Sequence, residues 1–451
     1  MPPNLWILTE ERPKISVLNF ILGKLKTKLA IEISIDNLQI KPVFNNHIFL
    51  NYFIVSGFKS KDINSIKINL ISSGSSFVDY LIFFQEEKPS PNQLLENCIF
   101  AIEETKTNSY DSRNTAMGQR SAKFNTINYY ILKYGFNTQP VMYYSHKQAE
   151  IDHDSVAFIN RLMRHLETNV EFWGKDINQY RPFKSLSELI EEKNKISSKN
   201  TRKNDTPMLI KIKDNKLYLK ALLANPGQGR KNYTGRIQHD PNMGQIPLIA
   251  KGIRRLGWEG EIIVTDHQIK ESKIKGNKFT NLANLLKIDL ENCKIPKTNF
   301  NDEYWEYEKT KEKVSTILVQ IILENNGMKT IFDNHGGCEK SFFKIDSENE
   351  TPINKKFSKD GGKIPDLVIL DNSRKIIYQF EGKKSQYLGK GLTELSGFEL
   401  FENMYLKNYY PNFSYERGLI IMGGNYIQND KIYFQLLSDN RLICKLSRII
   451  F

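Results

Sequence analysis

Three residues near the carboxyl end have the types and spacing for hydrolytic chemistry: Asp366, Glu381 and Lys383. The apolar run 364–370, the turn-forming Asp371, Asn372 and Ser373, and the second apolar run 375–380 predict a two-strand hairpin. Asp366 opens the first strand and Glu381 closes the second, so an antiparallel return brings both carboxylates to one end. Glu381 and Lys383 lie two apart, and alternation puts them on one strand face. Paired carboxylates hold a hard cation, and Mg2+ accepts one or two of them while keeping waters. Such an ion activates water and stabilises phosphoryl charge, and an adjacent lysine offsets the anionic transition state. The chemistry expected is phosphodiester hydrolysis.

A related set occurs near the amino end. Asp79 stands on an apolar run, and the next predicted strand ends in Glu103, Glu104, Thr105 and Lys106. Alternation puts Phe100, Ile102, Glu104 and Lys106 on one face and Glu103 on the other, so the expected set is Asp79, Glu104 and Lys106. Polar residues of the following segment, Arg113, Asn114, Gln119, Arg120 and Lys123, have the chemistry of phosphate and base-edge contacts. Lys384 and Lys390 form a comparable basic edge after Glu381.

The residues Pro365-Asp366 and Glu381-Gly382-Lys383 resemble the PD-(D/E)xK nuclease superfamily, whose largest membership is type II restriction endonucleases. In the amino-terminal set Val78 stands in place of the proline. The resemblance implies an αβββαβ core, Mg2+ held by Asp366 and Glu381 and by Asp79 and Glu104, cleavage of double-stranded DNA, and a cognate DNA methyltransferase in the same system. An acid from the helix before the core strands sometimes joins such a site, and Glu308 and Glu312 lie there. Both are expected to be exposed partners of neighbouring lysines.

The elements that must position these groups recur. Strand, strand, helix and strand patterns follow in order at 29–144 and again at 364–422, each after a helix pattern, at 15–29 and 304–326. The expected class is therefore α/β (α+β), with two restriction-endonuclease-like cores flanking a smaller mixed domain. Boundaries are expected near 195, where a polar, charged stretch predicts a linker, and near 300. The parts are a nuclease-like domain 1–195, a middle domain 196–300 and a nuclease-like domain 301–451. In the middle segment a glycine-rich loop carries Arg230, Lys231, Arg236 and Gln238, suited to DNA contacts. It lacks the spacing of a nucleotide-binding P-loop.

Composition agrees with an anionic partner: 64 Lys and Arg against 51 Asp and Glu give a net charge of +13 over 451 residues. Four cysteines with no CxxC pair point to a reducing compartment without a structural zinc site. No apolar run reaches the ~18 residues of a membrane span, and the amino terminus lacks a signal-peptide layout, so the expectation is a cytoplasmic protein. If both acidic sets work, a monomer suffices to cut both DNA strands. If one works, a homodimer is expected. A structure-selective repair nuclease and a DNA-binding protein with vestigial sites are the alternatives.

Overall fold

The computed structural model describes residues 2–72, 78–105, 117–145, 154–172, 175–176, 179–199, 208–221, 241–267, 278–297, 304–334, 342–344, 350–352, 362–447 and 449–450. The chain forms two compact units, neither continuous in sequence. Unit 1 comprises Met1–Ile15, Glu32–Ile71 and Tyr307–Phe451, and unit 2 comprises Ser16–Ile31 and Ser72–Glu306. Unit 2 ends at Glu306, close to the boundary expected near 300, and residue 195 lies within unit 2.

Up to residue 145 the elements are β1 (Asn4–Thr9), α1 (Ile15–Leu29), β2 (Ser34–Asn45), β3 (Ile48–Lys59), β4 (Ile66–Ser72), β5 (Tyr80–Gln85), β6 (Cys98–Thr105), α2 (Met117–Ser121), α3 (Lys123–Tyr134) and β7 (Gln139–Tyr144). Then come α4 (Asp154–His165), β8 (Asn169–Phe172), β9 (Lys175–Asp176), α5 (Leu186–Lys199), β10 (Met208–Lys213), β11 (Lys216–Ala221), α6 (Pro241–Arg255), β12 (Glu261–Thr265), α7 (Lys278–Leu286) and β13 (Ile288–Leu290). The last part holds β14 (Glu306–Tyr307), α8 (Glu312–Asn325), β15 (Lys329–Asp333), β16 (Phe342–Lys344), β17 (Glu350–Pro352), β18 (Leu367–Asp371), β19 (Ile376–Lys384), α9 (Leu388–Glu394), α10 (Phe398–Phe401), β20 (Ser414–Met422), β21 (Ile432–Leu436) and β22 (Leu442–Cys444). The mixture of helices with mixed sheets is an α+β arrangement. No described helix is long and apolar enough to cross a membrane.

In unit 1 the site-bearing sheet has the order β15-β18-β19-β20-β21-β22. The pairs β15–β18 and β18–β19 are antiparallel, and β19–β20 and β20–β21 are parallel. Strand alternation sends apolar side chains to both faces. On one face Leu367, Ile369 and Phe380 pack with Val319 and Leu323 of α8. On the other, Val368, Leu370 and Ile377 meet Phe401, Tyr405 and Leu406 of the helical stretch after β19. Each such fully buried side chain contributes about 1.5–3 kcal/mol, which holds the hairpin between two helical layers.

Unit 2 contains β5-β6-β7-β8-β9 and a second sheet β10-β11-β12-β13. Both begin with an antiparallel hairpin followed by two parallel additions. The run β18-β19-β20-β21 has the same pattern, so this pairing occurs three times. The predicted linker is a correction: α5 is helical to Lys199. Leu189, Lys193, Ile196 and Ser197 are buried at helical spacing, with Lys193 Nζ 3.3 Å from Gln245 Oε1 and over the Phe158 ring. A long aliphatic stem buries like an apolar residue when its head finds a partner, which composition does not reveal.

Candidate active site

The hairpin in unit 1 assembles the predicted carboxyl-terminal set. Leu367 pairs with Phe380, so Asp366, one residue earlier, lies across from Glu381. Asp366 N donates to Phe380 O over 3.0 Å, and Gly382 N donates to Asp366 Oδ2 over 2.9 Å. Lys383 Nζ contacts Glu381 Oε1 and lies 3.0 Å from Glu394 Oε2. Glu394 comes from α9, so the lysine is clamped between a strand carboxylate and a helix carboxylate.

Gly382 explains how a helix reaches this point. A Cβ there would lie 2.5 Å from Thr316 Oγ1, 3.4 Å from Asp366 Oδ2 and 3.7 Å from Glu312 Cβ. The missing side chain lets α8 lie against the hairpin end, and Glu312 thereby comes beside the aspartate. Its charge is one of the influences that raise the Asp366 pKa. The sequence expectation for Glu312 was a surface pair with Lys309; among the described residues no ion pair joins them. Glu308 is also not exposed. It is 5% accessible and accepts N–H bonds from Thr310 and Lys311 at the start of α8, with Lys311 Nζ 2.7 Å away. It orders the helix start.

The electrostatics are those of a crowded acidic pocket. Burial pushes Asp366 up to about 6, against its bond from Gly382 and the attraction of Lys383. Burial and then the charge of Asp366 push Glu381 up to about 8. Burial works against the charge on Lys383, but Glu381 and Glu394 outweigh it and raise its pKa. Glu394 also suffers from burial, yet Lys383, with Lys390 and Lys363, holds it below its ordinary value. One ammonium shared by several carboxylates leaves Asp366 and Glu381 short of positive charge.

Unit 2 builds a different centre from similar parts. Tyr80 pairs with Ile102, so Asp79 lies across from Glu103. The carboxylate in the position of Glu381 is therefore Glu103, which the sequence reading turned away from the site, and the position of Lys383 is Thr105. Parity with Lys106 selected Glu104, but the register to Asp79 decides the pairing. Glu104 N donates to Asp79 Oδ2 over 2.7 Å. Its carboxylate accepts from Ser145 Oγ over 2.5 Å and from Tyr80 Oη over 3.1 Å.

Glu103 is fully buried and saturated with cations. Lys123 Nζ donates to its two oxygens over 2.8 and 2.7 Å, and Arg120 Nη1 donates over 3.2 Å. Lys123 also lies 4.0 Å from Asp79 Oδ1. Arg120 and Lys123, expected as DNA contacts, are instead spent inside the unit. Burial and then Asp79 push Glu103 up to about 7 against both cations. Thus α2 and α3 supply the charge that Lys383 supplies from its own strand.

No family model, curated protein or solved structure matches the chain.

Of the other predicted residues, Lys384 ends β19 half-buried and Lys390 is exposed on α9, 3.9 Å from Glu394. Lys106, Arg113, Asn114, Arg230, Lys231, Arg236 and Gln238 lie outside the described residues, as does the side chain of Gln119, which stands in α2. In the third hairpin the residues next in sequence to Met208 and Ala221 are Pro207 and Leu222, so that hairpin lacks the acids.

Among the described residues no group of three or more His, Cys, Asp or Glu side chains could hold a metal ion by itself. Mg2+ requires fewer protein ligands, since it keeps several waters. Asp366 and Glu381 fit it in donor chemistry, and the one ammonium beside them, that of Lys383, is shared between Glu381 and Glu394. Glu103 fits poorly, because two cationic side chains already hold it.

Proposed function

We propose that the protein is a Mg2+-dependent endonuclease that hydrolyses phosphodiester bonds of double-stranded DNA at specific sequences, in the manner of type II restriction endonucleases. The observation that carries the reading is the hairpin end at which Asp366, Glu381 and Lys383 converge, with Glu312 beside them. Support also comes from the order α8, β15, β18, β19, α9 and α10, β20, with the separate β16–β17 hairpin inserted after β15, which is similar to the αβββαβ order expected of a PD-(D/E)xK core. The excess of basic residues suits a polyanionic substrate.

Asp366 and Glu381 would hold the ion, which when bound polarises the scissile phosphate and lowers the pKa of a bound water. Lys383 orients the attacking water and offsets charge on the phosphoryl oxygens. Glu394 fixes the lysine, and Gly382 fixes Asp366 through its N–H.

In this reading unit 1 carries the catalytic centre and unit 2 a closed relative of it, so Asp79 and Glu104 are not assigned to catalysis. One centre per chain then calls for two copies to cut both strands, and a site-specific enzyme of this type works alongside a cognate DNA methyltransferase. The test is incubation of phage and plasmid DNA with the full chain and Mg2+. Discrete bands that disappear with EDTA are expected. Cutting of junctions or flaps regardless of sequence would replace the reading by a structure-selective nuclease, and DNA binding without cutting would overturn it.

A further inference from the structure

Two strand exits meet beside the acidic residues of unit 1. The strands β19 and β20 run parallel with Lys384 opposite Met422, so both leave the sheet at the end that carries Glu381 and Lys383. Past Met422 the chain turns through Gly423 and Gly424, both at positive φ. A Cβ on Gly424 would lie 2.8 Å from Ser385 Cβ and Oγ, so the glycine lets the two exits touch. Each exit presents a tyrosine two residues further on. Tyr387 ends the single helical turn Ser385–Tyr387 that leads into α9, and Tyr426 stands in the loop before β21.

The backbone under both rings is fixed. Gln435, itself 1% exposed, donates through Nε2 to Asn425 O over 2.7 Å and accepts from Ile427 N over 3.0 Å, which clamps the chain on either side of Tyr426. Leu388 N donates to Ser385 O around Tyr387. The side chains themselves are unused: at 52% and 56% exposed, Tyr387 and Tyr426 are the two most exposed aromatic residues among those described. Among the described residues neither makes a ring contact or a side-chain hydrogen bond, and Lys384 makes no ion pair.

An aromatic ring stabilises a fold by being buried, so two rings held in water on a fixed backbone do little for this one. Their place suggests a use. Four residues separate Tyr387 from Lys383, at most about 14 Å of chain, which is a short stretch of one DNA strand. Aromatic faces beside an unpaired cation are the equipment for unstacked bases and the backbone between them.

We propose that Tyr387 and Tyr426 stack on a base turned out of the duplex beside the scissile phosphate, with Lys384 on the adjoining backbone. The proposal deepens the nuclease reading and takes its substrate from it. A paired base offers no free face, so the platform favours DNA that is already unpaired at this point and must extract a base from DNA that is not. The tyrosines are positioning residues: they hold the strand in register against Asp366 and Glu381 and take no part in bond breaking.

Fluorescence anisotropy with the full chain in EDTA reads binding without cleavage, on a single strand, its paired duplex and the same duplex with a short bulge. The single strand and the bulged duplex are expected to bind more tightly than the paired one. Tyr387→Leu and Tyr426→Leu should each weaken those two by about five-fold or more and leave the thermal midpoint unchanged, whereas Tyr387→Phe and Tyr426→Phe, which keep the ring, should bind normally. Lys384→Gln should weaken all three alike and reduce the salt slope by about one. No binding, equal binding of bulged and paired duplex, or binding that neither leucine substitution alters overturns the proposal. So does self-association without DNA that either leucine variant abolishes in sedimentation, because the face would then receive a second copy. Cleavage with Mg2+ is scored separately. A chain that binds as described but never cuts loses the nuclease reading and keeps the platform; one that cuts, with binding unchanged in both leucine variants, loses the platform and keeps the nuclease reading.

Discussion

The two acidic centres begin from the same geometry and are supplied with cations in different ways. In each, an aspartate just before a strand accepts an N–H from the returning strand, Gly382 to Asp366 in unit 1 and Glu104 to Asp79 in unit 2. In each, a glutamate lies across from that aspartate. The difference is where the cations come from. Unit 1 supplies one lysine from the same strand face and splits it between Glu381 and Glu394, so the aspartate and glutamate remain undercompensated. Unit 2 supplies Arg120 and Lys123 from helices and directs both onto Glu103. A shared hairpin is thus not a shared site: the local charge balance decides whether a carboxylate pair takes a cation or a salt bridge.

The largest effect should come from Lys383. Lys383→Met should lower the cleavage rate by roughly 10²–10⁴-fold in single-turnover assays with Mg2+, without loss of DNA binding. A variant that cuts at the normal rate would remove the lysine from the mechanism.

Glu103→Leu separates the centres by stability. It leaves Lys123 and Arg120 without their buried partner, and breaking one side of a buried ion pair costs about 3–5 kcal/mol, readable by urea unfolding. A near-neutral result would mean that Glu103 is not held as tightly as the closed centre requires.

Gly382→Ala places a methyl group against Thr316 Oγ1. A loss of about 1–3 kcal/mol is expected, with weaker Mg2+ dependence of cleavage as Asp366 and Glu312 are forced apart. Unchanged stability and Mg2+ response would argue against the close approach of α8.

The smallest effect is a pH slope. Asp366 and Glu381 have folded-state pKa values above their ordinary ones, so the folded state binds more protons than the unfolded state between about pH 4 and 8. Metal-free stability should therefore fall as pH rises through that window, and Glu381→Gln should flatten the fall. A rise in the thermal midpoint from pH 5 to 8 would contradict the crowding of these acids.

Much of this was legible in the sequence. Apolar runs bounded by turn residues located the β18–β19 hairpin, because alternation and turn chemistry are local properties. The helix α1 likewise follows from its apolar spacing. The choice of Glu104 over Glu103 failed because parity along one strand does not give the register to its neighbour, and Asp79 pairs by register. Glu312 was named as an acid that could join the site but expected to be an exposed lysine partner, because its proximity depends on a glycine seventy residues later in the chain. A further signal was Gly382 itself, a residue without a side chain between the charged Glu381 and Lys383 at the strand end. The role of Lys123 could not be read at all, since a helix after the strand delivers it through tertiary packing.

The most direct measurement is cleavage of plasmid DNA with Mg2+ by Glu381→Gln and Glu103→Gln, each first shown to be folded at the assay temperature. The account predicts that Glu381→Gln abolishes both nicking and linearisation, whereas Glu103→Gln, though less stable, still produces the discrete double-strand cuts. Normal cutting by Glu381→Gln, or loss of one strand's cleavage in Glu103→Gln, would contradict the assignment of catalysis to unit 1 alone.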